Sequence, residues 1–362
     1  MRALRGNHII ASHRGGVSAR WRRAGVAAAA LALPLAASGI AAAPASAARG
    51  YAAGGYAAGG YGVTHTIGVG DDPSGVAVDP ATRIAYVANG YGRLGGTVSV
   101  MDEAANTVTD TIPIGFGLSG VAVDPRARTV YVTNSGAGTV SVIDEATNTV
   151  THTILAGNFP SGVAVDPRAR TVYVANSGAG TVSVIDEVTN TVTHIIPVGS
   201  GPSGVAVDPA ARTVYVTNSN SGTVSVINEA TNTVTHIIPV GSGPSGVAVD
   251  PAARTVYVTN SNSGTVSVIN EATNTVIHTI TVGYGPSGVA ADPAARTVYV
   301  ANGGATTVSV INEATNTVTA TVPLGYPPSQ VAVDPATRTA YVTSPVGGAV
   351  WVIQMCGCHR RR

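Results

Sequence analysis

In-register copies of the dipeptide Asp-Pro fall at Asp79, Asp124, Asp166, Asp208, Asp250, Asp292 and Asp334, first 45 residues apart and then every 42. A fixed period of that length constrains the fold strongly, because it demands one supersecondary unit, repeated and stacked on its neighbours. One unit reads "SGVAVDPAARTVYVTNSNSGTVSVINEATNTVTHIIPVGSGP", residues 203–244. Four short runs rich in Val, Thr and Ile alternate with Asp-Pro, Asn-Ser-Gly and Glu-Ala-Thr-Asn turns, with no 3.6-residue pattern between them. The runs are strands A (GVAVD), B (TVYVT), C (TVSVI) and D (TVTHII). The longer first interval comes from three extra residues in "NGYGRLGGT", residues 89–97.

Four strands at this period predict one blade of a β-propeller, and seven periods predict an all-β, seven-bladed ring of four-stranded antiparallel blades. Side-chain size agrees. Strand A, nearest the axis, carries Val-Ala-Val beside Gly, while Tyr waits until strand B, where blades have more room. The seventh unit stops after strand C, "GAVWVIQ" (348–354), whereas residues 63–69 are a strand D without a blade. Pairing the two removes two open sheet edges. The propeller is therefore expected over residues 62–355, its last blade completed by an N-terminal strand.

The tetrapeptide YVTN at Tyr131–Asn134, Tyr215–Asn218 and Tyr257–Asn260 resembles the YVTN β-propeller repeat family over about residues 62–354. Blades 1, 3 and 6 carry YVAN, and blade 7 departs further with YVTS at Tyr341–Ser344. The resemblance implies a propeller in a secreted or surface-layer setting, with no general catalytic motif to carry over.

The flanks support export. Arg14, Arg20, Arg22 and Arg23 precede the apolar run "AGVAAAALALPLAASGIAAA", and Ala45–Ala47 read A-x-A. Residues 1–48 are thus a secretion signal, by the general or twin-arginine route, with an uncleaved membrane anchor as the alternative. Residues 49–61 form a Gly/Ala/Tyr linker. Beyond the signal, 14 Arg stand against 19 acids, with no Lys anywhere. An acidic chain without a basic stripe is a poor nucleic-acid binder. The expected partner is an envelope protein or glycan, the expected state a monomer, the location secreted or cell-surface. Both cysteines lie in the tail 356–362, so no disulfide frames the fold. Cys356, Cys358 and His359 make a C-x-C-H cluster, weak as a metal motif for want of a fourth ligand and read as a loose tail.

Topology assigns every reactive side chain to a face. The D–A and B–C loops make the top, the A–B and C–D turns the bottom. The seven Asp-Pro aspartates are expected in type I turns, each with an exposed Arg partner four residues on. The C–D glutamates (Glu103, Glu145, Glu187, Glu229, Glu271, Glu313) are expected as solvated turn residues or a weak acidic ring. Five histidines of strand D (His65, His152, His194, His236, His278) share a register; they stand too far apart for one metal ion and are expected partly buried between blades. No cofactor and no metal site is expected. Departures from the repeat gather on the top face: Asp71, Asp72, Tyr91, Arg93, Phe116, Leu118, Phe159, Tyr284 and Tyr326, while blades 4 and 5 stay plain. Aromatics with an Arg suit a recognition patch. The expectation is a non-catalytic binding or scaffold protein. The alternative is a lactonase- or lyase-like enzyme using Asp71, Asp72 and Arg93 at the top mouth.

Overall fold

The computed structural model describes residues 60–90 and 95–355. The expected signal, most of the expected linker, Tyr91–Leu94 and the Cys356–Arg362 tail lie outside them. Twenty-eight strands form seven four-stranded sheets, each in the order A-B-C-D. In blade 2 they are Leu118–Asp124, Thr129–Asn134, Thr139–Asp144 and Thr149–Leu155. Asp124, Thr129, Asp144 and Thr149 stand in one row, which puts both of the blade's turns at one end, the bottom.

The ring closes as the orphan strand predicts. Tyr61–Gly68 pairs antiparallel with Ala349–Met355, giving blade 7 its outer strand. Tyr61 opposes Met355, so both ends of the described propeller emerge side by side at the bottom. The strand starts earlier than its Val-Thr pattern suggests, because Tyr61 is buried and packs edge-on against Tyr299, ring centres 6.0 Å apart.

Each core layer lies between two blades, where Tyr from strand B meets Val and Ile of strands C and B of the next blade. The seven strand-B tyrosines are at most 2% exposed. Inner strands touch so closely that a Cβ at Gly162 would collide with the carbonyl of Ser203 in the next blade. Glycine there follows from the narrow end of the wedge.

The YVTN letters each have a use. The buried Asn218 amide donates to Thr223 Oγ1 (3.1 Å) and Ser225 Oγ (3.0 Å), tying strand B to strand C. Thr217 Oγ1 accepts from Gly204 N–H and donates to the Ser245 carbonyl of the next blade at 2.6 Å. Where Ala replaces this Thr, as at Ala175, the Thr bond is lost and the Ser161 hydroxyl still reaches the next blade's Ser203 carbonyl (3.2 Å), as Ser203 does to Ser245 beside Thr217.

Candidate functional site

The top face is built from loops of six residues that lead into strand A: GDDPSG, GFGLSG, GNFPSG, GSGPSG, GSGPSG, GYGPSG and GYPPSQ in blades 1 to 7. Each is tied to its own B–C loop, as by Ser177 N–H to the Phe159 carbonyl (3.0 Å) and Gly90 N–H to the Asp72 carbonyl (2.9 Å). In six of the seven loops the third position is in left-handed backbone; blade 7 has Pro327 there instead. Gly117, Gly201, Gly243 and Gly285 supply the left-handed turn at φ 62–71°. Blades 1 and 3 place Asp72 (φ 55°) and Phe159 (φ 52°) there instead. A bulky residue in that region is disfavoured by about 1–2 kcal/mol.

Phe116, Phe159 and Tyr284 are 65%, 56% and 72% exposed, and Asp71 is exposed beside half-buried Asp72. Tyr326 is half-buried against the seam of blades 6 and 7. Around the ring, blades 6, 7, 1, 2 and 3 are consecutive, so these residues follow one arc, and the matching loops of blades 4 and 5 hold only Gly, Ser and Pro. Tyr91 and Arg93 belong to the blade 1 loop outside the described residues.

Leu118 departs from expectation. It begins strand A in the slot that other blades give to Pro, pairs with Asn134 and is 4% exposed in the core between blades 1 and 2. It contributes to the seam, not the surface. Val346, 70% exposed on the B–C loop of blade 7, is a further apolar residue on the arc. A lone Val beside Pro and Gly gave no sequence signal. Inside the ring, Ser, Gly and Val of the strand A starts line a lumen of about 260 Å³, with Gln330 standing where the other blades have Gly.

The bottom face differs most from its sequence reading. The seven Asp-Pro aspartates are at most 2% exposed, with Oδ1 taken by turn N–H groups, as from Ala210 to Asp208 at 2.7 Å. They are not halves of exposed ion pairs. The arginines that follow, such as Arg212 (φ 54°), are exposed, and all but Arg338 lend their carbonyl to the C–D glutamate N–H of their own blade. Those glutamates are not solvated either. Glu103, Glu187, Glu229 and Glu313 are 5–8% exposed; Glu145 and Glu271 are half-buried. Each turns into the seam toward the preceding blade, Glu103 facing Asp334 and Tyr341, and Glu187 facing Asp124 and Tyr131.

Burial first, and the facing aspartate second, raise the Glu103 and Glu187 carboxyls to about 8 and those of Glu145, Glu229 and Glu271 to about 7. Glu313 also reaches about 8, through burial and Asp250. The adjoining Asp144 moves the other way. Hydrogen bonds from the Thr147 hydroxyl and N–H, both 2.9 Å, hold it below the usual carboxylate range. With the carboxylates withdrawn, the bottom presents arginines more than acid, joined by Arg126 and Arg168 at a recess of about 200 Å³.

The five strand-D histidines are exposed, not partly buried. Wedge-shaped blades part toward the rim, so a single strand-D residue, Ile154 or Ile196, is fully buried in blades 2 and 3. A bulge at Thr151 also breaks the alternation that joined Val150 to His152. At the rim, His194 and His236 each lie 3.4 Å from an Asn amide of the next blade. Among the described residues no group of three or more His, Cys, Asp or Glu stands ready to hold a metal ion.

Comparison with known proteins agrees with this architecture. A family model described as a YNCE-like beta-propeller matches residues 200–284 and 245–347, which together run from blade 4 into the first two strands of blade 7. No curated protein matches the chain significantly. Among solved structures, hydrazine synthase of Kuenenia stuttgartiensis is similar at a TM-score of 0.71 and 22% identity, over 79% of this chain and 96% of that one. At that identity the likeness speaks for the fold alone. The chain is a β-propeller.

Proposed function

We propose that the chain is an exported, non-catalytic binding or surface-scaffold protein that meets its partner through the top arc of blades 6, 7, 1, 2 and 3. One observation carries this reading. Phe159 is held more than half exposed in left-handed backbone, at a place that four other blades give to Gly. Strain of that kind gathers where it serves a function. Phe116 and Tyr284 extend the same surface, and few aromatic anchors suffice to bind a partner. The partner is an envelope protein or a glycan, in keeping with the signal-like N-terminus and the YVTN resemblance, which also suggests a surface-layer setting. Catalysis by Asp71, Asp72 and Arg93 is the competing reading; a divalent ion bound at the top mouth would favour it.

The test is a loop exchange. Phe116→Ser, Phe159→Gly and Tyr284→Ser together give these loops the residues of blades 4 and 5. Sedimentation with isolated cell envelopes should show binding weakened at least tenfold, since one lost anchor is worth about 2 kcal/mol. Thermal unfolding should stay cooperative. Equal binding by the exchanged protein would make the arc incidental repeat drift.

A further inference from the structure

The six C–D glutamates, four buried and two half-buried, are ionisable groups that the top arc does not use. Both carboxylate oxygens of Glu103, Glu145, Glu187, Glu229 and Glu313 are buried without a direct hydrogen-bond partner. A carboxylate withdrawn into a seam, with a second carboxyl and a tyrosine hydroxyl facing it, is unfavourable, and such a group holds its proton instead. Opposite each lies a second carboxyl, the buried Asp-Pro aspartate of the preceding blade, whose Oδ1 is committed to its turn. Two facing carboxyls in a dry seam do not both ionise.

We propose that six of the seven blade seams are each closed by a proton held on the Glu–Asp pair, so that the ring takes up protons as it folds and its seams weaken as pH rises through neutrality. Three other kinds of group face these pairs. The strand-B tyrosine of the preceding blade adds a hydroxyl, itself raised by burial and by the glutamate. The arginine of the glutamate's own blade favours the ionised form, but it is exposed and its effect is screened. Asp292 adds a further negative charge near Glu313. The seam between blades 6 and 7 is the internal exception. There Tyr61 of the closing strand meets Tyr299 beside Asp292, with no glutamate.

The sign follows from linkage. The folded glutamates sit at about 7 to 8 against an ordinary 4.5, so their stabilising effect is complete below about 4.5 and is lost as pH climbs through 7 to 8. Between those limits the folded ring holds more protons than the unfolded chain, and stability falls with pH in proportion to that excess.

Urea unfolding of the full chain from pH 5 to 9 measures the excess as a slope, expected to approach six protons near pH 6. Glu187→Gln, a neutral isostere of the protonated side chain, should leave the midpoint unchanged at pH 5 and raise it above wild type at pH 9. It should also reduce the slope by one proton. The rim histidines are common to both proteins, so the difference reads the glutamate alone. A Gln variant weakened equally at every pH would show a merely structural side chain and overturn the proposal. So would a wild-type midpoint at pH 8 that rises with added calcium while the Gln variant's does not, since a cation would then fill the pair. Should Glu187→Gln fail to fold, refolding of the unaltered chain in weak buffer at pH 6 decides: net proton uptake supports the proposal, and its absence overturns it.

Discussion

Phe159 and Leu118 occupy related loops and went to opposite fates, and single residues of this kind separate surface from seam. Leu118 replaces a Pro at the first position of strand A, where the register points it inward. Phe159 stands where four other blades place a left-handed Gly, and the side chain is left in solvent. Phe159→Gly should therefore raise stability by about 1 kcal/mol, relieving the left-handed strain while giving back some chain entropy. The same change should weaken envelope binding. Urea midpoints and sedimentation on one preparation check both, and a destabilised variant would contradict the strain. At this scale the sequence displayed which positions break the repeat, but not which way each one points. Glu187 and His152 show why. Glu187 reads as a turn residue in its own blade and is covered only by the blade before it. His152 reads as inward by alternation and is exposed at a rim where the blades part, next to a bulge.

Among the elements, the strand Tyr61–Gly68 has the largest effect, because it alone turns an open array into a ring. Its pairing with Ala349–Met355 was legible from a strand D without a blade and a blade without a strand D. Its first residue was not. Tyr61 reads as the last tyrosine of a low-complexity linker, and its pairing with Met355 and its contact with Tyr299 make it part of the blade. Truncation should follow the structural boundary. Removing residues 50–59 should leave thermal unfolding unchanged. Removing residues 50–68 should expose the edge of Ala349–Met355 and produce aggregation or a loss of many degrees in melting midpoint. Equal melting of the two truncated chains, followed by light scattering and calorimetry, would show that the ring closes in some other way.

At the scale of the whole molecule the ring has two unlike faces. The bottom gathers both ends of the propeller, the buried carboxyl pairs and the exposed arginines; the top carries small polar loops broken by one arc of aromatics. A tether through the N-terminus would thus hold the bottom toward the membrane and offer the arc outward. The fold was legible throughout because each strand recurs seven times, whereas the arc is written once and in different residues in each blade. The most direct measurement is hydroxyl-radical footprinting of the protein, free and bound to isolated envelopes. Phe116, Phe159 and Tyr284 should be protected on binding, while exposed Ile195 and Ile237 at the rim and Arg212 and Arg254 at the bottom should react as in the free protein. Protection confined to the rim or the bottom, with the three aromatics still fully reactive, would contradict the account.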